Sequence, residues 1–263
     1  MSEANTDPAA DNIRGADGVP GAGSVDPADH PPLALPDADW AWFAERCAAL
    51  GIADPQPHRT AIEALYGHLM GVNAWLNLTR IATPRDYLKN HVLDSLTGAT
   101  DTRLRQLAAG APCVDLGSGG GYPGLPLALW HPHVPWALLD ARRKKAEFLA
   151  AAGKLAQRHG AGPVAGHHLR GGDAKMVPSL YRRCQLVVSR AMGQAVDVLA
   201  EAGPLLRHHG HCLIYKGPAF LGAEETTAKE ACVKMGYRYV GTRTVTLEDG
   251  DPQRLLVTFE RSA

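Results

Sequence analysis

From Ala111 onward, short apolar runs alternate with longer stretches in which apolar residues recur at helical spacing. The runs 112–116, 134–139, 163–167, 184–189 and 211–216 predict strands; the stretches 123–131, 142–159, 194–207 and 221–235 predict helices. Strands and helices in alternation predict an α/β fold with a doubly wound, mainly parallel sheet. The alternation stops near the end. "YRYVGTRTVTL" and "QRLLVTFER", joined by the acidic turn "EDGDP", predict a β-hairpin and hence an antiparallel edge.

Upstream, residues 37–107 read as a small helical region. Asp37 or Asp39 can cap a helix that carries Trp40, Phe43, Cys47 and Leu50 at helical spacing and stops at Gly51. A second helix is predicted from about His58 to Asn73, with Ile62, Leu65, Leu69 and Val72 on one face. Thr83-Pro84 is a helix start, threonine as cap and proline in the first turn. Residues 1–36 have almost no large apolar side chains, so they cannot offset the entropy of ordering and are expected to be disordered. The division is thus 1–36 tail, 37–107 helical region, 108–263 α/β domain.

Charge changes the picture only once the chain is divided. The whole chain is neutral, with 27 Lys and Arg against 27 Asp and Glu. Residues 1–39 hold eight acids and one base, which leaves 26 Lys and Arg against 19 Asp and Glu in the rest. An acidic tail on a basic body suits a protein that docks on phosphates. The five cysteines are scattered, with no C-x-x-C pair. That argues against a disulfide framework or zinc cluster and suits a reducing cytoplasm. The histidine groups at 131/133, 167/168 and 208/209/211 have no carboxylate or cysteine to complete a ligand set, so no metal is expected. The N-terminus has no basic, then apolar signal pattern, and no apolar run is long enough for a membrane span.

The chemistry centres on "VDLGSGGGYPG", residues 114–124. It stands at the carboxyl end of the first predicted strand, where open α/β sheets bind ligands. Gly119-x-Gly121-x-x-Gly124 matches the dinucleotide fingerprint. Two features point away from a pyrophosphate: Asp115 stands before the first glycine, where it can meet a cationic ligand, and Pro123 removes an N–H donor. Asp140 ends the second predicted strand, where a carboxylate can accept both hydroxyls of a ribose. The residues alone leave NAD and S-adenosylmethionine both open.

"VDLGSGGGYPGLPLAL", "LLDARRKKAEFL", "VVSRA" and "YKGP", taken in order with "NAWLNLTRIATPRDYLKNHVLDSL", resemble the RsmG (GidB) family of 16S rRNA guanine-N7 methyltransferases. The resemblance implies a class I, Rossmann-like methyltransferase fold, S-adenosylmethionine as cofactor and the small ribosomal subunit as partner. It implies cofactor contacts at Gly117, Gly119, Tyr122, Asp140 and Arg190, alongside Asp115. Gly172 and Asp173 match a small residue and an acid near the adenine, with Asp where the family more usually has Glu. Gln185 stands where the family often has Asp, a change that bears on packing or capping. His91, Asp94 and Ser95 also match, either as the mouth of the cofactor pocket or as a structural cluster.

N7 of guanine carries an in-plane lone pair and loses no proton, so no general base is needed; alignment and electrostatics suffice. Arg190 and His91 are the positioning candidates. The basic run Arg142, Arg143, Lys144, Lys145, with Lys216 in "YKGP", is expected to hold RNA phosphates. The competing readings are a methyltransferase of this fold with another substrate, a nicotinamide-dependent oxidoreductase, and an RNA-binding module without activity.

Overall fold

The computed structural model describes residues 23–81 and 83–262. A seven-stranded sheet has the order β3-β2-β1-β4-β5-β7-β6. Its strands are β1 Cys113–Leu116, β2 Trp136–Asp140, β3 Val164–His168, β4 Cys184–Arg190, β5 Leu206–Lys216, β6 Tyr237–Val245 and β7 Arg254–Arg261. The first five pair in parallel, and β7 runs antiparallel to both β5 and β6. The expected hairpin is present, but its second strand lies inside the sheet and its first forms the edge. β5 starts five residues earlier than the expected 211, because its exposed Arg207–His209 stretch hides the strand signal.

The helices are α1 Asp37–Ala49, α2 Arg59–Leu76, α3 Pro84–Asp86, α4 Asp94–Leu96, α5 Thr102–Arg105, α6 Gly124–Trp130, α7 Arg143–Arg158, α8 Ala195–Ala202 and α9 Ala223–Lys234. One face of the sheet carries α6, α7 and the N-terminal helices on a core that includes Phe43, Leu69, Leu93, Leu125 and Phe148. The other carries α8 and α9 on Val187, Leu199, Ile214 and Phe259. With β1 and β4 central, apolar residues on both faces of each strand are buried, which is why these strands read as continuous apolar runs. This is the class I methyltransferase architecture.

Thr83 caps α3 as expected, its hydroxyl accepting from Asp86 N. Between α3 and α4 the backbone winds as a π-helix over Tyr87–Leu93. Such turns gather at functional sites, and this one aims Tyr87 and His91 at the glycine loop. Gln185 is buried and ties β4 to the loop before β1, bonding Ala108 N, Ala108 O and Ala111 O. Gln185 thus caps that loop.

Residues 1–22 of the expected tail lie outside the described residues. Residues 23–36, expected to be disordered, form a strap across α2. Leu33 N and Leu35 N donate to Glu63, and Arg59 donates to Leu35 O. Two glycines make the groove: a Cβ on Gly67 would stand 2.1 Å from Pro31 O, and one on Gly71 2.1 Å from His30 Nδ1. His68, fully buried, donates from Nε2 to Val25 O and stacks on Phe148 of α7. Composition misjudged this segment because backbone bonds and notches hold it, with Leu35 the large apolar side chain it sends into the core.

Candidate functional site

The glycine loop leaves β1 through Gly117 at φ +71° and Gly119 at φ +59°, conformations that disfavour a side chain. A Cβ on Gly119 would meet only Gly117 O, at 3.9 Å, so bare backbone faces open space there. Gly119 N donates to Asp140 Oδ2 (3.2 Å), and Arg142 N donates to Asp140 Oδ1 (2.8 Å). Each Asp140 oxygen keeps further acceptor capacity. Gly117, Asp140, Arg142, Lys145, Met192 and Glu201 line a cleft of about 340 Å³ at the carboxyl ends of β1 and β2.

Asp115 does not face this cleft. It is fully buried, and its Oδ2 accepts from Ser118 Oγ (2.6 Å) and Gly124 N (2.7 Å). Its task is to close the loop on itself. Burial pushes its carboxyl from 3.8 up to about 6, against the lowering pull of those two hydrogen bonds. Tyr122 is likewise turned inward. It is buried, donates to Tyr87 Oη (2.9 Å) and stacks under His91 at 4.5 Å. Both residues were expected to touch a ligand; the structure makes them the loop's internal frame.

Arg190 ends β4 and reaches back to the π-helical turn. It donates to Asn90 O (2.9 Å) and Asp94 Oδ2 (2.6 Å), and its other terminal nitrogen meets His91 Nδ1 at 3.3 Å. A guanidinium only donates, so Nδ1 must accept, and His91 Nε2–H then donates to Thr79 Oγ1 (2.8 Å). Burial, and then the Arg190 charge, push His91 down to about 3. His91 is therefore a neutral strut at neutral pH, with neither nitrogen free for proton transfer.

A second cleft, about 320 Å³, opens at the ends of β4 and β5. Its walls include Asp94, Arg190, Tyr215, Lys216 and Arg254. Asp94 pairs with Arg190 and also faces Arg254 Nε at 3.3 Å. The two clefts share Ala191 and Met192. Ala191 takes φ +59°, and Met192 lies over Gly117, where an added Cβ would stand 2.7 Å from its sulfur.

The basic run is divided. Arg142 and Lys145 line the first cleft, Arg142 and Arg143 are exposed, and Lys144 Nζ stands 5.9 Å from the Trp75 ring. Arg143 also faces Glu147 one turn on, at 3.4 Å. Lys216 is not a free cation: it is mostly buried and pairs with Glu224 and Gly193 O. Glu224 also accepts from Ala195 N, so this pair pins the 191–195 turn. Gly172 and Asp173 stand on the 3-10 turn Gly171–Met176 outside the first cleft; Leu169 and Arg170 line it instead. Gly172 N is bound by Glu201 Oε2 at 2.8 Å. Met192 and Glu201 went unseen in the sequence because nothing local marks either one. Among the described residues no three His, Cys, Asp or Glu side chains converge as a metal site, and no helix is long and apolar enough to cross a membrane.

The family model for GidB, rRNA small subunit methyltransferase G, matches residues 58–248. A ribosomal RNA small subunit methyltransferase G of Sorangium cellulosum is 34% identical over 221 residues, covering 83% of this chain and 86% of that protein. The protein of the same name from Deinococcus deserti is 35% identical over 210 residues, covering 79% and 82%. That of Myxococcus xanthus is 30% identical over 221 residues, covering 83% and 95%. Among solved structures, a 16S rRNA (adenine(1408)-N(1))-methyltransferase from Catenulisporales acidiphilia aligns with TM-score 0.47 and 14% identity, over 62% of this chain and 89% of that one.

Proposed function

The chain belongs to the GidB family of rRNA small subunit methyltransferases G, and from that premise we propose that it methylates N7 of one guanine in 16S rRNA. The observation that carries the reading is the pair of clefts that meet at Ala191–Met192.

The first cleft fits S-adenosylmethionine. Open space before Gly119 admits a ligand against the backbone, and the Asp140 carboxylate beside it suits a ribose diol. Bound there, S-adenosylmethionine supplies an electrophilic methyl group. Gly117 lines the cleft and Gly119 offers open backbone beside Asp140; these residues would hold and orient the cofactor, with Lys145 and Arg170 also lining the cleft. The Gly172–Asp173 turn acts one step back, steadied by Glu201.

The second cleft receives the base. N7 attacks along its own lone pair, and no side chain near it needs to accept a proton. His91, held neutral with both nitrogens engaged, is suited to support rather than to acid–base work. The product base is cationic. Asp94 between Arg190 and Arg254, and Glu224 on Lys216, temper the positive charge around that cleft. Arg142, Arg143 and Lys144 at the start of α7 face solvent and are available for phosphates.

The test incubates unmethylated small subunits and naked 16S rRNA, in separate arms, with labelled cofactor. The product is mapped by N7-specific strand cleavage. Label at one guanine that cleaves is the expected result, and the arm that carries it identifies the natural substrate. Label at a cleavage-resistant amine, or in protein, overturns the reading.

A further inference from the structure

A third cleft, about 440 Å³, lies on the α8 side of the sheet, away from the basic start of α7. Lys175, Arg182 and Arg261 line it, with Tyr181 and Tyr237 and no acidic side chain. Lys175 Nζ and Arg182 Cζ stand 5.9 and 5.7 Å from the Tyr181 ring centre, and Arg261 Cζ stands 5.1 Å from that of Tyr237. Elsewhere in the fold Arg59, Lys89, Arg190 and Lys216 each meet a carboxylate, whereas Arg261 here donates to the backbone oxygens of Met235 and Gly236. Among the described residues none of these three cations has a carboxylate within 4.0 Å.

Three unneutralised cations around one concavity repel one another, and an anion relieves that repulsion. The backbone adds a second sign. Arg182 takes φ +53°, uncommon for a residue with a side chain, and its N–H donates to Pro204 O (2.9 Å). Its guanidinium is exposed and stands over the Tyr181 ring. Lys175 is exposed as well, and the Tyr181 ring is half-exposed. Cations beside an accessible aromatic face suit single-stranded nucleic acid, whose phosphates pair with the charges while a base stacks on the ring. A small anion would use the charges and leave the ring idle.

This cleft and the cofactor cleft stand on opposite sides of one thin wall. Gly172 lines the third cleft, and its N–H is held by Glu201 of the first. We infer that Lys175, Arg182, Arg261 and Tyr181 form a second RNA-docking site, which grips a single-stranded flank of the substrate RNA away from the methylated base. This rests on the rRNA methyltransferase reading. It adds a contact face opposite α7, so the RNA is held from both sides of the sheet.

The test compares wild type with Lys175→Gln/Arg182→Gln. Both side chains are exposed, and neither lines the cofactor or base cleft. RNA affinity is measured by anisotropy across a salt series, with methylation kinetics and cofactor calorimetry alongside. Losing two phosphate contacts should lower the salt slope by about 1 to 1.5 and weaken binding about tenfold at low salt. KM for RNA should rise in parallel, while kcat at saturating RNA and cofactor affinity stay at wild-type values. Arg182→Lys, which keeps the charge, should recover most of the affinity. Should the double variant unfold, Lys175→Gln alone gives the same reading at half the change in slope.

An unchanged affinity and slope, with wild type methylating the RNA, overturns the docking site and leaves the function standing. A wild type that neither binds nor methylates RNA overturns both. Loss of inorganic phosphate binding in the variant, with RNA affinity intact, reassigns the cleft to a small anion and overturns the inference.

Discussion

Replacing Asp115 by asparagine isolates the electrostatic load carried by the glycine loop. The carboxylate is fully buried, and folding raises it from 3.8 to about 6. The folded state therefore binds this proton more tightly than the unfolded state. Stability from this group is fully present below pH 3.8 and is lost as pH rises through about 6. At 1.36 kcal/mol for each pH unit between the two values, the ionised group costs about 3 kcal/mol above pH 7. Roughly half of that cost is already present at pH 5. Asparagine can still accept from Ser118 and Gly124 but does not titrate, while its amide places buried donors where Oδ1 has no hydrogen-bond partner. That is a pH-independent penalty of about 1–3 kcal/mol. Urea unfolding of both proteins from pH 5 to pH 8 removes this constant by subtraction, and other titrating groups cancel. The wild-type minus variant difference should shift by about 1–1.5 kcal/mol in favour of the variant as pH rises. A flat difference would refute the buried, ionising carboxylate.

Gly117→Ala must hold a side chain at φ +71° and drive its Cβ against the Met192 sulfur, 2.7 Å away. It should lose about 1–2 kcal/mol of stability and most of its S-adenosylmethionine affinity by calorimetry; unaltered affinity would remove Gly117 from the cofactor site. Tyr122→Phe deletes the hydrogen bond to Tyr87 but keeps the ring under His91. It should cost about 1 kcal/mol in urea and leave cofactor affinity intact, and a large loss of affinity would put the phenol back in the cleft. Folding pushes His68 down from 6.5 to about 4, chiefly by burial, so stability from this group is present above pH 6.5 and lost as pH falls toward about 4. That loss reaches about 3 kcal/mol; His68→Gln should show a shallower acid limb, and parallel limbs would count against a buried neutral imidazole beneath the strap.

The sheet was legible because its signals are local: apolar runs, Gly turns and the Thr83-Pro84 cap all act within a few residues. The position of the first cleft was legible for the same reason, since a glycine turn after β1 and an acid at the end of β2 mark the strands' carboxyl ends. Side-chain direction was not. Asp115 reads as a ligand contact until Ser118 and Gly124 are seen to claim it from inside. Lys216 reads as a phosphate contact until the turn at Gly222 brings Glu224 back onto it. The strap escaped because Gly67 and Gly71 interrupt a helical pattern without announcing what they receive. Each miss is a pairing between elements, which a one-dimensional pattern does not encode.

Those pairings also tie the N-terminal helices to the candidate site. Tyr122 of the glycine loop donates to Tyr87, and Tyr87 donates to Ile62 O of α2. His91 covers Tyr122 and meets Arg190, and Arg190 is drawn to Asn90 and Asp94. With its side chain anchored there, β4 ends in a bend. Ala191 takes a left-handed conformation that costs about 1–2 kcal/mol. Charged hydrogen bonds to Asp94 and Asn90, each worth about 1.5–3 kcal/mol, offset that strain. Past that bend Met192 lies over Gly117, and Ala191 and Met192 form the common boundary of the two clefts. A glycine loop on this sheet without the helices would still offer a cofactor cradle. It would lack Asn90, His91 and Asp94 to anchor Arg190 at the boundary of the two clefts.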